Sequence, residues 1–221
     1  MTTGKPDIER VKRSKAFRAS MQGMSRNGKF EVDEQAYDPL EWPIFPPVIS
    51  AKTEAKALQV AHHFAYMAQR LGGVPEAEAA KAMLEIREDL FMHWPGHYLY
   101  FYMGPPRHRP LPVMVGVWQM TGERDEQLRM LAGYETEDLA EPPAMEAFSS
   151  EHLGFGVKVR CVQKGPRRRG SLVGLLGYAW RSEELQTDLH MRALCPDLGW
   201  LEGATPGIDR FARAARLVPK H

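Results

Sequence analysis

The sequence predicts an α+β domain with a mainly antiparallel five-stranded sheet. Apolar residues recur at helical spacing between residues 53 and 90, and from residue 97 onward the pattern changes to the alternation of strands. Glycine- and proline-rich segments separate two pairs of these strands, as in hairpins. We expect an N-terminal helical hairpin and a C-terminal helix to pack on the sheet, mostly against one face.

Residues 1–50 are predicted to lie outside this domain, which spans residues 51–221. Residues 1–30 contain eight lysines and arginines but two acidic residues, and few large apolar side chains, so they form a basic arm. Residues 31–50 are proline-rich, and proline favours an extended path. Trp42 and Phe45 interleave with these prolines. We interpret them as apolar anchors, either for the domain itself or for a partner.

Two helices are predicted at the start of the domain. The first covers about residues 53–71 and ends at Gly72-Gly73. The second follows Pro75, a residue tolerated in a first helical turn, and continues to Leu90. The short link between them predicts an antiparallel helical hairpin.

The rest of the domain is predicted to be mainly strands. A helix is expected at 123–133, followed by an acidic, proline-containing loop to about residue 150, and a closing helix at 209–217. The predicted strands cover residues 97–103, 112–120, 155–163, 171–181 and 187–195.

One face of the sheet is expected to carry aromatic rings and positive charge. Alternation along the first strand places three tyrosines on one side, and basic residues lie opposite the apolar sides of two later strands. Aromatic rings stack on unpaired bases while lysine and arginine hold phosphates. The opposing interpretation is that a helix covers the rings. The residues concerned are Tyr98, Tyr100, Tyr102, Lys158 and Arg160, with His190 and Arg192 expected on the same side.

The two predicted hairpin loops are rich in arginine. If both point the same way, their charges repel one another unless something negative compensates them. Three sources of negative charge remain open: phosphates of nucleic acid, an acidic protein, or this chain's own acidic loop with Glu135, Glu137, Asp138 and Glu141. The predicted partner-binding residues are Arg107, Arg109, Lys164, Arg167, Arg168 and Arg169, together with the anchors Trp42 and Phe45.

Catalytic and metal-binding patterns are weak. His93 and His97 flank a helix-to-strand corner and would need His152 or His190 to complete a zinc site. No H-E-x-x-H, C-x-x-C, nucleophile-elbow or phosphate-loop motif is present. We therefore predict no cofactor, no metal and no catalytic residue.

Composition indicates a soluble protein. The net charge is +1, and no apolar run is long enough to cross a bilayer. The two cysteines, Cys161 and Cys195, are too few for a disulfide framework. With no apolar leader at the start, a cytoplasmic location without membrane contact is expected.

The function that these patterns favour is a non-enzymatic interaction module or accessory subunit that docks an anionic partner surface through its basic arm and two arginine-rich hairpin tips. Another protein or assembly is the expected partner. One alternative is a single-stranded nucleic-acid-binding protein that uses the tyrosine face. A second alternative is a small hydrolase or metal enzyme at the His93/His97 corner.

Overall fold

The computed structural model describes residues 26–220 except residue 40 and the segments 46–50, 71–74, 94–96, 105–109, 135–138 and 165–170. Most of the predicted basic arm lies outside the described residues. So do the arginines of both predicted hairpin tips. Lys164 is the one predicted partner-binding cation that the structure describes, and it is exposed.

The main sheet is antiparallel throughout and has seven strands among the described residues, not the predicted five. Five of them match the predicted strands closely. The other two lie at the sheet's edges, where the sequence predicted a strap and a loop. In sheet order, the strands are β2 (Ile44–Phe45), β3 (Tyr98–Tyr102), β4 (Leu111–Gln119), β8 (Thr187–Cys195), β7 (Leu172–Ser182), β6 (Gly154–Lys164) and β5 (Ala144–Ser150).

A second, two-stranded sheet joins distant parts of the chain. Its strands are β1 (Phe30–Val32) and β9 (Leu217–Pro219), which pair antiparallel. The predicted closing helix at 209–217 is therefore wrong at both ends. The observed helix, α4, spans Leu198–Ala214, and the chain is extended again by residue 217.

Helix α4 covers the first face of the main sheet. Its apolar side, including Ala204, Ile208 and Phe211, is buried against side chains from the central strands. Burying this apolar surface is the main source of stability for the contact. The tyrosines of β3 belong to this same face, so Tyr100 and Tyr102 lie in the core under α4.

The other three helices cover the second face. The helical hairpin α1 (Ala51–Arg70) and α2 (Glu76–His93) packs small residues such as Ala57, Ala61 and Ala65 against the apolar side of β3. Helix α3 (Arg124–Ala132) packs on Val159 and Ala179. The placement of the helices therefore differs from the expectation: the helical hairpin and the C-terminal helix pack on opposite faces, and the sheet lies between α4 and the other three helices. Strands covered on both sides explain why β4 and β7 are apolar on both sides.

Candidate partner-binding end of the sheet

The tyrosine face is closed in this structure. Tyr100 and Tyr102 are 1% and 6% exposed, and Tyr102 stacks on Trp42 with ring centroids 4.8 Å apart. Tyr98 is half-buried, with the Arg26 guanidinium 5.0 Å from its ring centroid. Base stacking needs an open ring face. The two central tyrosines offer none to a nucleic acid in this conformation.

The basic residues next to this face are paired with carboxylates from α4 and β5. The Lys158 amine lies 3.0 Å from Asp209 Oδ1 and 3.2 Å from Glu146 Oε1. The Tyr178 hydroxyl donates a 2.6 Å hydrogen bond to the same Asp209 carboxylate, and burial together with this bond raises the pKa of Tyr178. Arg160 forms an ion pair with Glu202. These cations hold α4 on the sheet.

His190 and Arg192 lie on the second face, opposite the tyrosines, which corrects the expectation that they share a face. The register pairs Leu99 with Met114 and Met114 with Arg192, so Arg192 shares a side with Leu99. The Arg192 guanidinium donates to the carbonyls of Leu131, at 2.7 Å, and Met130. A cation here stabilises the negative C-terminal end of α3. Burial lowers the pKa of Arg192 to about 10.

The predicted histidine corner contains a buried hydrogen bond between two rings. His97 Nε2 and His190 Nε2 are 2.8 Å apart, so one ring donates and the other accepts. Burial, and then the neighbouring His97 and Arg192, hold the pKa of His190 well below its ordinary value. The side chain of His93 lies outside the described residues. Across the described part of the chain, no three His, Cys, Asp or Glu side chains form a group suited to a metal ion.

Trp42 and Phe45 serve the protein's own core. Trp42 stacks on Phe211 of α4 at 4.1 Å between ring centroids. Phe45 lies in the opposite core cluster and meets Phe101 edge-on at 4.8 Å. The contacts of both rings are therefore internal to the domain, and both side chains are buried.

Both arginine-rich segments connect strands at one end of the sheet. Strand β6 is four antiparallel steps from β3, so the two strands run in the same direction. The first segment is flanked by the pair Tyr102 and Leu111, and the second by the pair Lys164 and Leu172. Three strand spacings separate the two strand pairs, which is about 14 Å. We call the set Arg107, Arg109, Lys164, Arg167, Arg168 and Arg169 the cationic set.

An acidic segment enters the sheet at the same end. Leu139 forms a bridge with Gln163, and the Ala140 N–H donates to the Val162 carbonyl at 2.8 Å. Leu139 thus lies beside the residue that precedes Lys164. The residues just before it, 135–138, lie outside the described residues and include three carboxylates in the sequence. Together with Glu141 they are fewer than the six cations, so positive charge is in excess.

The sequence interpretation missed the carboxylates of α4. Glu202 and Asp209 are seven residues apart, which places them on one side of a helix. That signal was hidden because glycines and Pro206 interrupt the segment, and both residue types disfavour helix. Packing against the sheet outweighs this weak propensity.

No family model matches the sequence, and no curated protein matches it at a significant level. In the described residues, no helix combines the length and apolar character needed to cross a bilayer.

Proposed function

We propose that this protein is a non-enzymatic interaction module that docks an acidic protein surface through the cationic set. The observation that carries the proposal is that both arginine-rich segments connect strands at the same end of the sheet. At this end β3 and β6 end, and β4 and β7 begin. Six cations that the sequence places in or beside these two connections would together favour carboxylates. Arginine suits this role because its planar guanidinium binds a carboxylate through two parallel hydrogen bonds.

An acidic protein is favoured over a nucleic acid because the other parts of a nucleic-acid site have internal roles. Tyr100 and Tyr102 are under α4, and Lys158 and Arg160 are ion-paired. A single-stranded nucleic-acid site combines cations with open aromatic rings. The cationic set has the charge, but the tyrosines of the sheet do not supply the stacking surface.

The acidic segment at 135–138 gives the proposal a specific mechanism. Its neighbour Leu139 is paired with β6 two residues from the second arginine-rich segment. A partner's carboxylates would compete with these internal ones for the same arginines. Removing the internal carboxylates with Glu135→Gln, Glu137→Gln and Asp138→Asn should therefore tighten binding.

The test measures binding of a fluorescent acidic peptide rich in Glu and Asp to the full chain, beside a single-stranded DNA oligonucleotide of equal charge. Replacing Arg167, Arg168 and Arg169 with Gln should weaken peptide binding about tenfold, because exposed ion pairs contribute ~0.2–1 kcal/mol each. The matched control replaces three exposed lysines outside the cationic set, Lys29, Lys56 and Lys81, with Gln. That control should bind like the wild type.

Three outcomes would contradict the proposal. The first is no binding of the peptide by the wild type at low salt. The second is equal weakening by the control. The third is binding of the oligonucleotide but not of the peptide. That result would mean that the cationic set binds nucleic acid and not an acidic protein. Affinity capture from the native cell extract, with and without nuclease, then distinguishes a protein partner from a nucleic acid.

A further inference from the structure

We infer that the edge strand β5 is a self-association surface, through which two copies of this chain join their sheets antiparallel. Strand β5 is the last strand of the main sheet and pairs along its whole length with β6. Within the described part of the chain, no strand pairs with its outer side. Its outward N–H and C=O groups are therefore available to another strand.

The strand lacks the features that usually protect an edge. Residues 144–150 contain no lysine, arginine or proline, and their single charge is Glu146. That carboxylate lies 3.2 Å from the Lys158 amine, which it shares with Asp209. Pro142 and Pro143 precede the strand and limit the open edge to seven residues. The opposite edge, β2, is protected by being only two residues long.

An exposed apolar patch lies beside this edge. Phe155 is 76% exposed and Met145 is 40% exposed, and both are on the second face of the sheet. Ala147 and Ser149 lie between them on the same side and are exposed as well. Helix α3 covers Val159 on this face but leaves these four residues open. Exposed apolar side chains distributed along an open edge favour a binding surface.

A second copy fits the patch better than a charged partner does, because the strand is self-complementary. Antiparallel pairing about Ala147 is the register that uses all seven residues. It places Ala147 opposite itself and Ser149 opposite Met145 of the second copy. Phe155 and Ser149 of one copy then lie in one row across the sheet with Met145 of the second copy. Phe155 is two strand spacings, or about 10 Å, from that Met145. Glu146 faces Phe148 of the second copy, so no like charges meet.

Sedimentation velocity of the full chain tests this inference. The wild type should form a concentration-dependent dimer, and Ala147→Lys should weaken it at least ~10-fold because two lysines would lie opposite each other. Ala147→Glu should do the same, and mixing the two variants should restore a dimer. The control is Leu58→Lys, which changes an exposed leucine on α1. A monomeric wild type, or a dimer insensitive to Ala147→Lys, would overturn the inference.

Cysteine cross-linking tests the register. Directly opposite residues have Cα atoms about 4.5–5.5 Å apart, within the range of a disulfide. Ala147→Cys should therefore form a covalent dimer on oxidation. Ser149→Cys should not, because position 149 of one copy lies four residues along the strand from position 149 of the second copy. The native Cys161 and Cys195 are buried and remain in both variants. Cross-linking of Ser149→Cys alone would contradict the register. Binding of the acidic peptide by the Ala147→Lys variant reports separately on the cationic set.

Discussion

Replacing Gly207 with alanine should destabilise the protein, although alanine is the better helix former. Helix α4 approaches the sheet so closely here that an added Cβ would lie 2.5 Å from Tyr102 Cζ and Oη. The tyrosine ring has little room to move, since it stacks on Trp42 at 4.8 Å and on Trp200 at 5.9 Å. The contact therefore decides whether α4 can keep its position over the tyrosine face.

The same substitution at Gly203, one turn earlier in α4, supplies the control. There the added Cβ would come no closer than 3.9 Å to any other group, the nearest being Trp200 Cε3. Gly203→Ala should stabilise the protein by about 0.5–1 kcal/mol through helix propensity. At Gly207 an overpacking cost of about 1–3 kcal/mol opposes that gain. Because the propensity gain is common to both substitutions, we expect the two variants to differ by the overpacking cost, about 1–3 kcal/mol.

Urea unfolding measures this difference as a change in the free energy of unfolding. The dependence of that free energy on urea concentration is compared between the variants. In a Tyr102→Val background, where the opposing side chain is shorter, Gly207→Ala should cost less than in the wild type, with a coupling energy of about 1–2 kcal/mol. Equal stabilisation by Gly203→Ala and Gly207→Ala would refute the close packing of α4 on Tyr102.

Three further predictions concern buried ionisable groups. Because the pKa of His190 is lowered in the folded protein, the unfolded chain takes up a proton first as pH falls below about 6.5, so the free energy of unfolding should decrease there by ~1.4 kcal/mol per pH unit for this residue. In His190→Gln this decrease should be smaller by that amount in urea unfolding between pH 7 and pH 5, and an unchanged slope would contradict the buried neutral ring. Asp209→Asn should lower the free energy of unfolding by about 1–3 kcal/mol, because it removes the nearer of the two carboxylates beside the buried Lys158 amine and leaves only Glu146, 3.2 Å away. Tyr178→Phe, which removes only the hydroxyl bonded to Asp209, should cost about 1–2 kcal/mol by the same assay.

The central strands were predictable because they alternate strongly and are bounded by glycine and proline. Strand β3 was expected at 97–103 and is observed at Tyr98–Tyr102, and β8 was expected and observed at 187–195. The helical hairpin followed from apolar spacing and the Gly72-Gly73 stop in the same way. These patterns are local, so they can be recognised in the sequence without knowledge of the tertiary structure.

The edge strands and α4 were not predictable from local pattern alone. Strand β5 is mostly exposed and short of branched residues, so pairing with β6, not its own propensity, makes it a strand. Helix α4 contains Pro206 and several glycines, and its stability comes from burial of residues such as Phe211.

Which basic residues share a face with the tyrosines depends on the register between strands. The pattern within a single strand does not determine that register. The sequence predicted that His190 and Arg192 share a side with the tyrosines, because both lie opposite the apolar side of β8. Apolar residues line both faces of this sheet, however, so polarity does not identify a face. Only the pairing of Met114 with Arg192 places these residues opposite the tyrosines.

If both proposals hold, the cationic sets of a dimer point in opposite directions. The two sheets would join antiparallel through β5, so the end that carries Lys164 in one copy lies beside the other end of the second copy. One partner surface would then engage one copy at a time, and a dimer would bridge two partners.

Charge reversal at the cationic set tests the proposed function most directly. The measurement is the affinity of the full chain for an acidic peptide and for a lysine-rich peptide, before and after replacing Arg167, Arg168 and Arg169 with Glu. We expect the variant to lose the acidic peptide and to bind the lysine-rich one, because the cationic set then carries no net charge and the four carboxylates Glu135, Glu137, Asp138 and Glu141 leave this end negative. Retention of the acidic peptide with unchanged affinity would contradict docking at this end of the sheet.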